Sequence, residues 1–87
     1  MKIIKEDERG KVYETNEFKI FYRNKNTISG DNKVNVEELI YLVSGKAEIT
    51  LKENTWIAEA PAKIEFPAKT YHKIKAITDI ILIQVKK

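Results

Sequence analysis

The chain is written almost throughout as short runs in which Ile, Val, Phe, Tyr and Thr alternate with Lys and Glu, each run soon meeting a turn-forming residue. Alternation at a period of two puts one set of side chains on each face of an extended strand, whereas a helix needs apolar residues every three or four. No segment keeps the helical period with caps at its ends. The pattern predicts strands at Lys2–Lys5, Lys11–Glu14, Phe18–Arg23, Glu38–Val43, Ala47–Lys52, Thr55–Ala58, Ala62–Phe66, His72–Ile77 and Ile80–Lys86. Strands this short, at this spacing, point to an all-β sandwich or barrel. The longest polar stretch, "RNKNTISGDNK", reads as the one substantial loop.

Three local patterns refine this picture. In "YLVSGKAEITL", Ser44-Gly45 stands between two apolar runs and predicts a two-residue hairpin. Ile40 and Leu42 would share one face, with Ala47, Ile49 and Leu51 following on the partner strand. Phe18, Ile20 and Tyr22 alternate on one face and read as core; Tyr41 falls on the face opposite Ile40 and Leu42, outside or at a subunit contact. "IILIQV" is apolar on both faces over its first half, which predicts cover from the barrel interior on one side and from a second subunit on the other. A homodimer is the expected assembly. Trp56 follows a turn, and surface and interface are both open to it.

At 87 residues the chain is expected to form one barrel domain over 1–87, near the lower limit for folding on a hydrophobic core alone. It has no cysteine, so a disulfide framework, a thiolate nucleophile and a Cys-based zinc site are excluded, and its single histidine excludes a histidine-only metal cluster. The start "MKIIKEDERGK" lacks the apolar core of a signal peptide, and no run approaches membrane-span length, so a cytoplasmic protein with no membrane partner is expected. The net charge is +3. Most lysines alternate with apolar residues, as in "KIEF" and "HKIKAI", which spreads the charge one lysine per strand face. A nucleic-acid groove would concentrate that charge between aromatic platforms, so no nucleic-acid partner is expected.

Two spacings then resemble the small cupins, single-domain β-barrels of jelly-roll type. In "ELIYLVSG", Glu38 and Gly45 stand six residues apart as in the family's first motif, followed by the strand "KAEITL". In "FPAKTYH", Pro67, Lys69 and His72 occupy the P-x-G-x-x-H positions of its second motif. The resemblance covers roughly the last two-thirds of the chain and implies a cupin-type double-stranded β-helix. Several family residues are replaced. The H-x-H positions of motif one hold Asn32 and Val34, or Asp31 and Lys33, according to register; Pro61 and Lys69 stand for two glycines and Ala76 for an asparagine.

The family's metal is held by two histidines and a glutamate of motif one with the histidine of motif two, and only Glu38 and His72 match. Asp31 is the carboxylate that would complete a set of three if its loop folded inward. Two ligands fall short of what a catalytic divalent site needs, so no bound metal and no other cofactor is expected.

What remains implied is a buried Glu38–His72 pair facing into the barrel. Tyr22, Lys69 and Tyr71 are the candidate ligand-binding residues at the pocket rim, the tyrosines for their polar tips and Lys69 for an anionic group. The favoured reading is a non-catalytic barrel that binds a small polar or sugar-like molecule, or that serves only as structure. Its rival is a metal-independent enzyme similar to the cupin sugar-nucleotide epimerases and isomerases, with His72 as base, Glu38 as its partner and a tyrosine as acid. A degenerate metal cupin, completing its coordination with water, is the third reading. A polar pocket of about 300 Å3 or more around His72 is what catalysis would require.

Overall fold

The computed structural model describes residues 2–32 and 37–86, the side chains of 31 and 32 apart. Ten strands follow one another: β1 (Lys2–Asp7), β2 (Gly10–Glu14), β3 (Phe18–Arg23), β4 (Ile28–Asn32), β5 (Glu38–Ser44), β6 (Lys46–Leu51), β7 (Asn54–Glu59), β8 (Ala62–Phe66), β9 (His72–Ala76) and β10 (Ile80–Val85). There is no helix among the described residues, and hence none long and apolar enough to cross a membrane. The strands form two antiparallel sheets, sheet A in the order β1-β2-β3-β10-β5-β8 and sheet B in the order β4-β9-β6-β7.

The alternation read from the sequence sets what lies between the sheets. Sheet A sends Ile40 and Leu42 from β5, Ile64 and Phe66 from β8, and Ile80 and Leu82 from β10 into the core; sheet B answers with Ala47 and Ile49 from β6, Ala58 from β7, and Ile74 and Ala76 from β9. Each large side chain so removed from water stabilises the fold by about 1.5–3 kcal/mol. Phe66, Leu42 and Ile49 are the largest that are wholly enclosed.

Three expectations are corrected. The stretch taken as a loop contains β4, which pairs with β9 through Ile28↔Lys75 and Ser29↔Ile74. "ISGDN" has little intrinsic strand character, and the edge of β9 supplies the order that propensity does not. Ser44-Gly45 is no hairpin: β5 is bonded on its two edges by β8 and β10, and β6 by β7 and β9, so neither has an edge left for the other. The chain turns a corner there from sheet A into sheet B, with Lys46 N donating to Thr78 Oγ1 and Ala60 N to Gly45 O. Ile40 and Leu42 therefore meet Ala47 and Ile49 across the core and not along a ladder.

The third correction concerns β3. The register Phe21↔Leu82 and Phe21↔Val12 points Lys19, Phe21 and Arg23 inward and turns Phe18, Ile20 and Tyr22 outward. Tyr41 does lie on the outer face, opposite Ile83 of β10. That β10 is the inner-to-outer apolar strand of the molecule follows from its position, third from the β8 edge and flanked by β3 and β5.

Candidate functional site

Glu38 opens β5 in sheet A and His72 opens β9 in sheet B, and parity directs each inward at the same end of the sandwich. Their side chains meet: Glu38 Oε2 lies 3.1 Å from His72 Nε2, with the imidazole almost wholly buried and the carboxylate largely so. The other carboxylate oxygen, Oε1, accepts a hydrogen bond of 3.1 Å from Gln84 Nε2 on β10. His72 packs against Phe66, ring centroids 4.6 Å apart. On the opposite side stands Gly30 of β4, where an added Cβ would lie 2.9 Å from Nε2, so the ring occupies space that a glycine leaves open.

The proton inventory follows from the partners. His72 Nδ1 is 3.2 Å from the carbonyl oxygen of Thr70, which can only accept, so Nδ1 carries hydrogen. Nε2 then faces Oε2. Oε2 makes no aligned hydrogen bond: the contact with the ring is close but poorly directed, leaving acceptor capacity buried and unused.

Beside this pair is a cavity of about 200 Å3, lined by Phe21, Ser29, Gly30, Glu38, Ile40, His72, Ile74, Leu82 and Gln84. Its walls are mainly apolar, with Glu38, His72, Gln84 and Ser29 as the polar groups. It is smaller than the 300 Å3 or so that catalysis on an ordinary metabolite was expected to need.

The other sequence candidates do not join it. Tyr22 is on the outer face of sheet A, its ring set edge-on against Tyr13 at 5.6 Å. Lys69 and Tyr71 line a different, open hollow of about 510 Å3 with Lys52, Glu53 and Thr70. That hollow is larger, but the buried Glu38–His72 pair lines the smaller cavity. Lys69, standing where the resembled family has glycine, keeps the glycine conformation at φ 55°. Two residues of the site were not singled out from the sequence. Gln84 was legible as a polar residue at the inward parity of "IILIQV"; Gly30 was hidden in the stretch taken for a loop.

The metal implied by the resemblance does not fit the described residues. Glu38 and His72 supply two donors, and no group of three His, Cys, Asp or Glu able to hold an ion occurs among the described residues. The side chain of Asp31, the third ligand considered, lies outside them.

No protein-family model matches the chain, and no curated protein matches it. Solved structures do. An RmlC-like cupin from Shewanella frigidimarina superposes with a TM-score of 0.82 at 16% identity, over 97% of this chain and 80% of that one. A cupin superfamily protein from Desulfitobacterium hafniense gives a TM-score of 0.70 at 16% identity, over 85% and 70%. A conserved protein of unknown function from Streptococcus pyogenes gives 0.71 at 23% identity, over 86% and 68%. At these identities the likeness is one of fold, and the fold is the cupin fold.

Proposed function

We propose that this cupin-fold barrel is a non-catalytic binding protein, taking a small polar molecule into the cavity beside Glu38, His72 and Gln84. The observation that carries the reading is the cavity of about 200 Å3 in which Glu38, His72, Gln84 and Ser29 are gathered as polar groups among mainly apolar walls. The space amounts to about seven water-sized groups. A ligand of that size, with a hydroxyl or amine to donate to Glu38 and an apolar edge for Phe21, Ile74 and Leu82, matches the lining.

The rival reading, an epimerase or isomerase acting on a sugar nucleotide, keeps its Glu38–His72 pair but loses its other parts. Neither Tyr22 nor Tyr71 lines the cavity, so the acid partner is missing, and the volume is well short of a sugar nucleotide.

A thermal-shift panel of monosaccharides, hydroxy acids, small amines and sugar nucleotides tests both. A ligand at a hundred times its Kd stabilises by about 2.7 kcal/mol. For a domain of this size that raises Tm by more than about 10 °C. The expected result is a shift with a small hydroxyl- or amine-bearing compound that disappears in Glu38→Gln and His72→Ala, without turnover. A shift confined to sugar nucleotides, accompanied by epimerisation that His72→Ala abolishes, would establish the rival.

A further inference from the structure

Directly opposed residues of an antiparallel pair share a face, so the register carries rows of side chains across a sheet. On the inner face of sheet A one such row starts at the cavity. Gln84 of β10 lines the cavity and holds Glu38; it stands opposite Lys19 of β3, Lys19 opposite Glu14 of β2, and Glu14 opposite Lys2 of β1. Exposure rises outward, from half-buried Gln84, Lys19 and Glu14 to exposed Lys2. The next row of the same face, Val12, Phe21 and Leu82, is apolar, as an inner face is expected to be.

Lys19 is the member of the polar row that lacks a counter-charge. No ion pair among the described residues includes it. Its in-register carboxylate is engaged elsewhere, since Lys86 Nζ stands 2.7 Å from Glu14 Oε2, and Lys19 acts on Glu14 through space alone. On its other flank Gln84 is neutral, and Glu38 beyond it is met by Gln84 Nε2 and the His72 ring. Lys2, the other lysine of the row, lines a separate hollow with Glu14, Thr15, Asn16 and Lys86. A half-buried ammonium pointing inward without an anion costs stability until an anion joins it.

We infer that the ligand of the cavity is an acid: a small hydroxy acid whose hydroxyl donates to Glu38 and whose carboxylate is bound by Lys19, with Gln84 between them. This rests on the binding reading of the cavity proposed above and adds the charge of its ligand. Reach permits it, because opposed side chains stand about 5 Å apart at Cβ and the flexible stem of a lysine covers that gap. Gln84 permits it too: its amide has two N–H groups, and one remains for the ligand after Glu38 has taken the other. The competing ligand classes fit the row less well. An amine would set a second cation beside Lys19, and a neutral sugar would leave Lys19 as it stands.

Isothermal titration calorimetry tests the inference with glycolate, lactate and glycerate, each beside the alcohol that carries a hydroxymethyl group in place of the carboxylate: ethylene glycol, propylene glycol and glycerol. At least one acid is expected to bind about 10-fold or more tightly than its alcohol, as a charge-assisted hydrogen bond requires. Lys19→Met is expected to erase that preference and Lys19→Arg to keep it. Lys75→Met, at an exposed position on the outer face of sheet B, is the control and is expected to keep it as well. Should Lys19→Met lose its strand signal in circular dichroism, Lys19→Gln takes its place with the same expectation. Acid and alcohol bound equally, or a preference that survives the loss of the Lys19 charge, overturns the inference and leaves the binding reading standing. Binding of neither class to the wild type overturns both.

Discussion

At one end of sheet A, Glu38 and Gln84 reach across the sandwich to His72; at the other, Arg23 turns inward beside Ile80. Both ends bury an ionisable side chain, and Phe21 stands between them, lining the cavity on one side and lying under the Arg23 guanidinium at 5.3 Å on the other. The histidine end has a carboxylate, a carbonyl and a cavity. The arginine end offers no acceptor to Nε or Nη1, which are buried without a hydrogen bond among the described residues. Burial lowers the pKa of Arg23, the nearby Arg9 charge lowers it further, and Asp7 opposes both. What the guanidinium does have is the face of Phe21, worth about 0.5–2 kcal/mol. The difference separates a buried ionisable pair beside a cavity from a buried guanidinium whose described partner is an aromatic face.

Each end also rests on a glycine, and these give the sharpest test. A Cβ on Gly10, opposite Arg23, would lie 1.8 Å from the Tyr22 carbonyl oxygen, which is backbone and cannot move aside. Gly10→Ala is expected to cost more than about 3 kcal/mol in urea denaturation, through steric overlap and a backbone at φ +134°. At Gly30 the obstacle is the His72 ring, a side chain that can shift. Gly30→Ala is expected to cost about 1–2 kcal/mol and to weaken any ligand bound at Glu38 as well. Equal costs at the two positions would mean that the His72 ring is as immovable as backbone, and the contrast between the ends would fail.

The pair itself comes next. A double-mutant cycle on Glu38→Gln and His72→Gln is expected to show coupling of about 1–2 kcal/mol, since one partner removed strands the other in a dry site. Coupling near zero would show that the 3.1 Å contact carries no energy. Arg23→Met is expected to change stability by less than about 1 kcal/mol in either direction, because the lost cation–π contact is offset by relief of the buried, unpaired donors. A loss of more than about 2 kcal/mol would reveal an acceptor that compensates Arg23.

The smallest effect lies at the surface. Lys86 Nζ, 2.7 Å from Glu14 Oε2, holds the Glu14 carboxyl below its ordinary value of 4.5, chiefly by hydrogen bonding. A carboxylate whose folded value is depressed stabilises the protein above its unfolded value and loses that contribution as pH falls through the folded one. In an acid titration, Glu14→Gln is expected to be slightly less stable than the wild type at neutral pH, with the difference shrinking as pH falls below about 4.5 and the stability slope there flattened. A difference that grows as the pH falls below about 4 would contradict the assignment.

Much of this was legible in the residues. The β class followed from alternation, and the pairing of Glu38 with His72 from two motif spacings. The sequence alone could not say which apolar set of "FKIFYR" faces inward. Phe18, Ile20 and Tyr22 form the more apolar set, and local pattern favours burying them; the register with β2 and β10 turns Lys19, Phe21 and Arg23 inward instead, and of these Arg23 is buried. Tyr22 was lost as a site candidate for that reason. β4 was illegible because its glycine, aspartate and asparagine are poor strand formers, ordered only by a partner distant in the chain.

Alternation, turn residues and the absence of cysteine determined on their own that the chain forms short antiparallel strands without covalent staples, because those properties act between near neighbours. Which strands share a sheet was decided only in three dimensions. Ser44-Gly45 has the local form of a hairpin and makes a corner, since edge bonds from strands far away in sequence are already in place. The character of "PAKTYH" was settled at the same level. Its histidine meets Glu38 from the opposite sheet, itself held by Gln84 of the last strand, in the space left by Gly30 and beside a cavity.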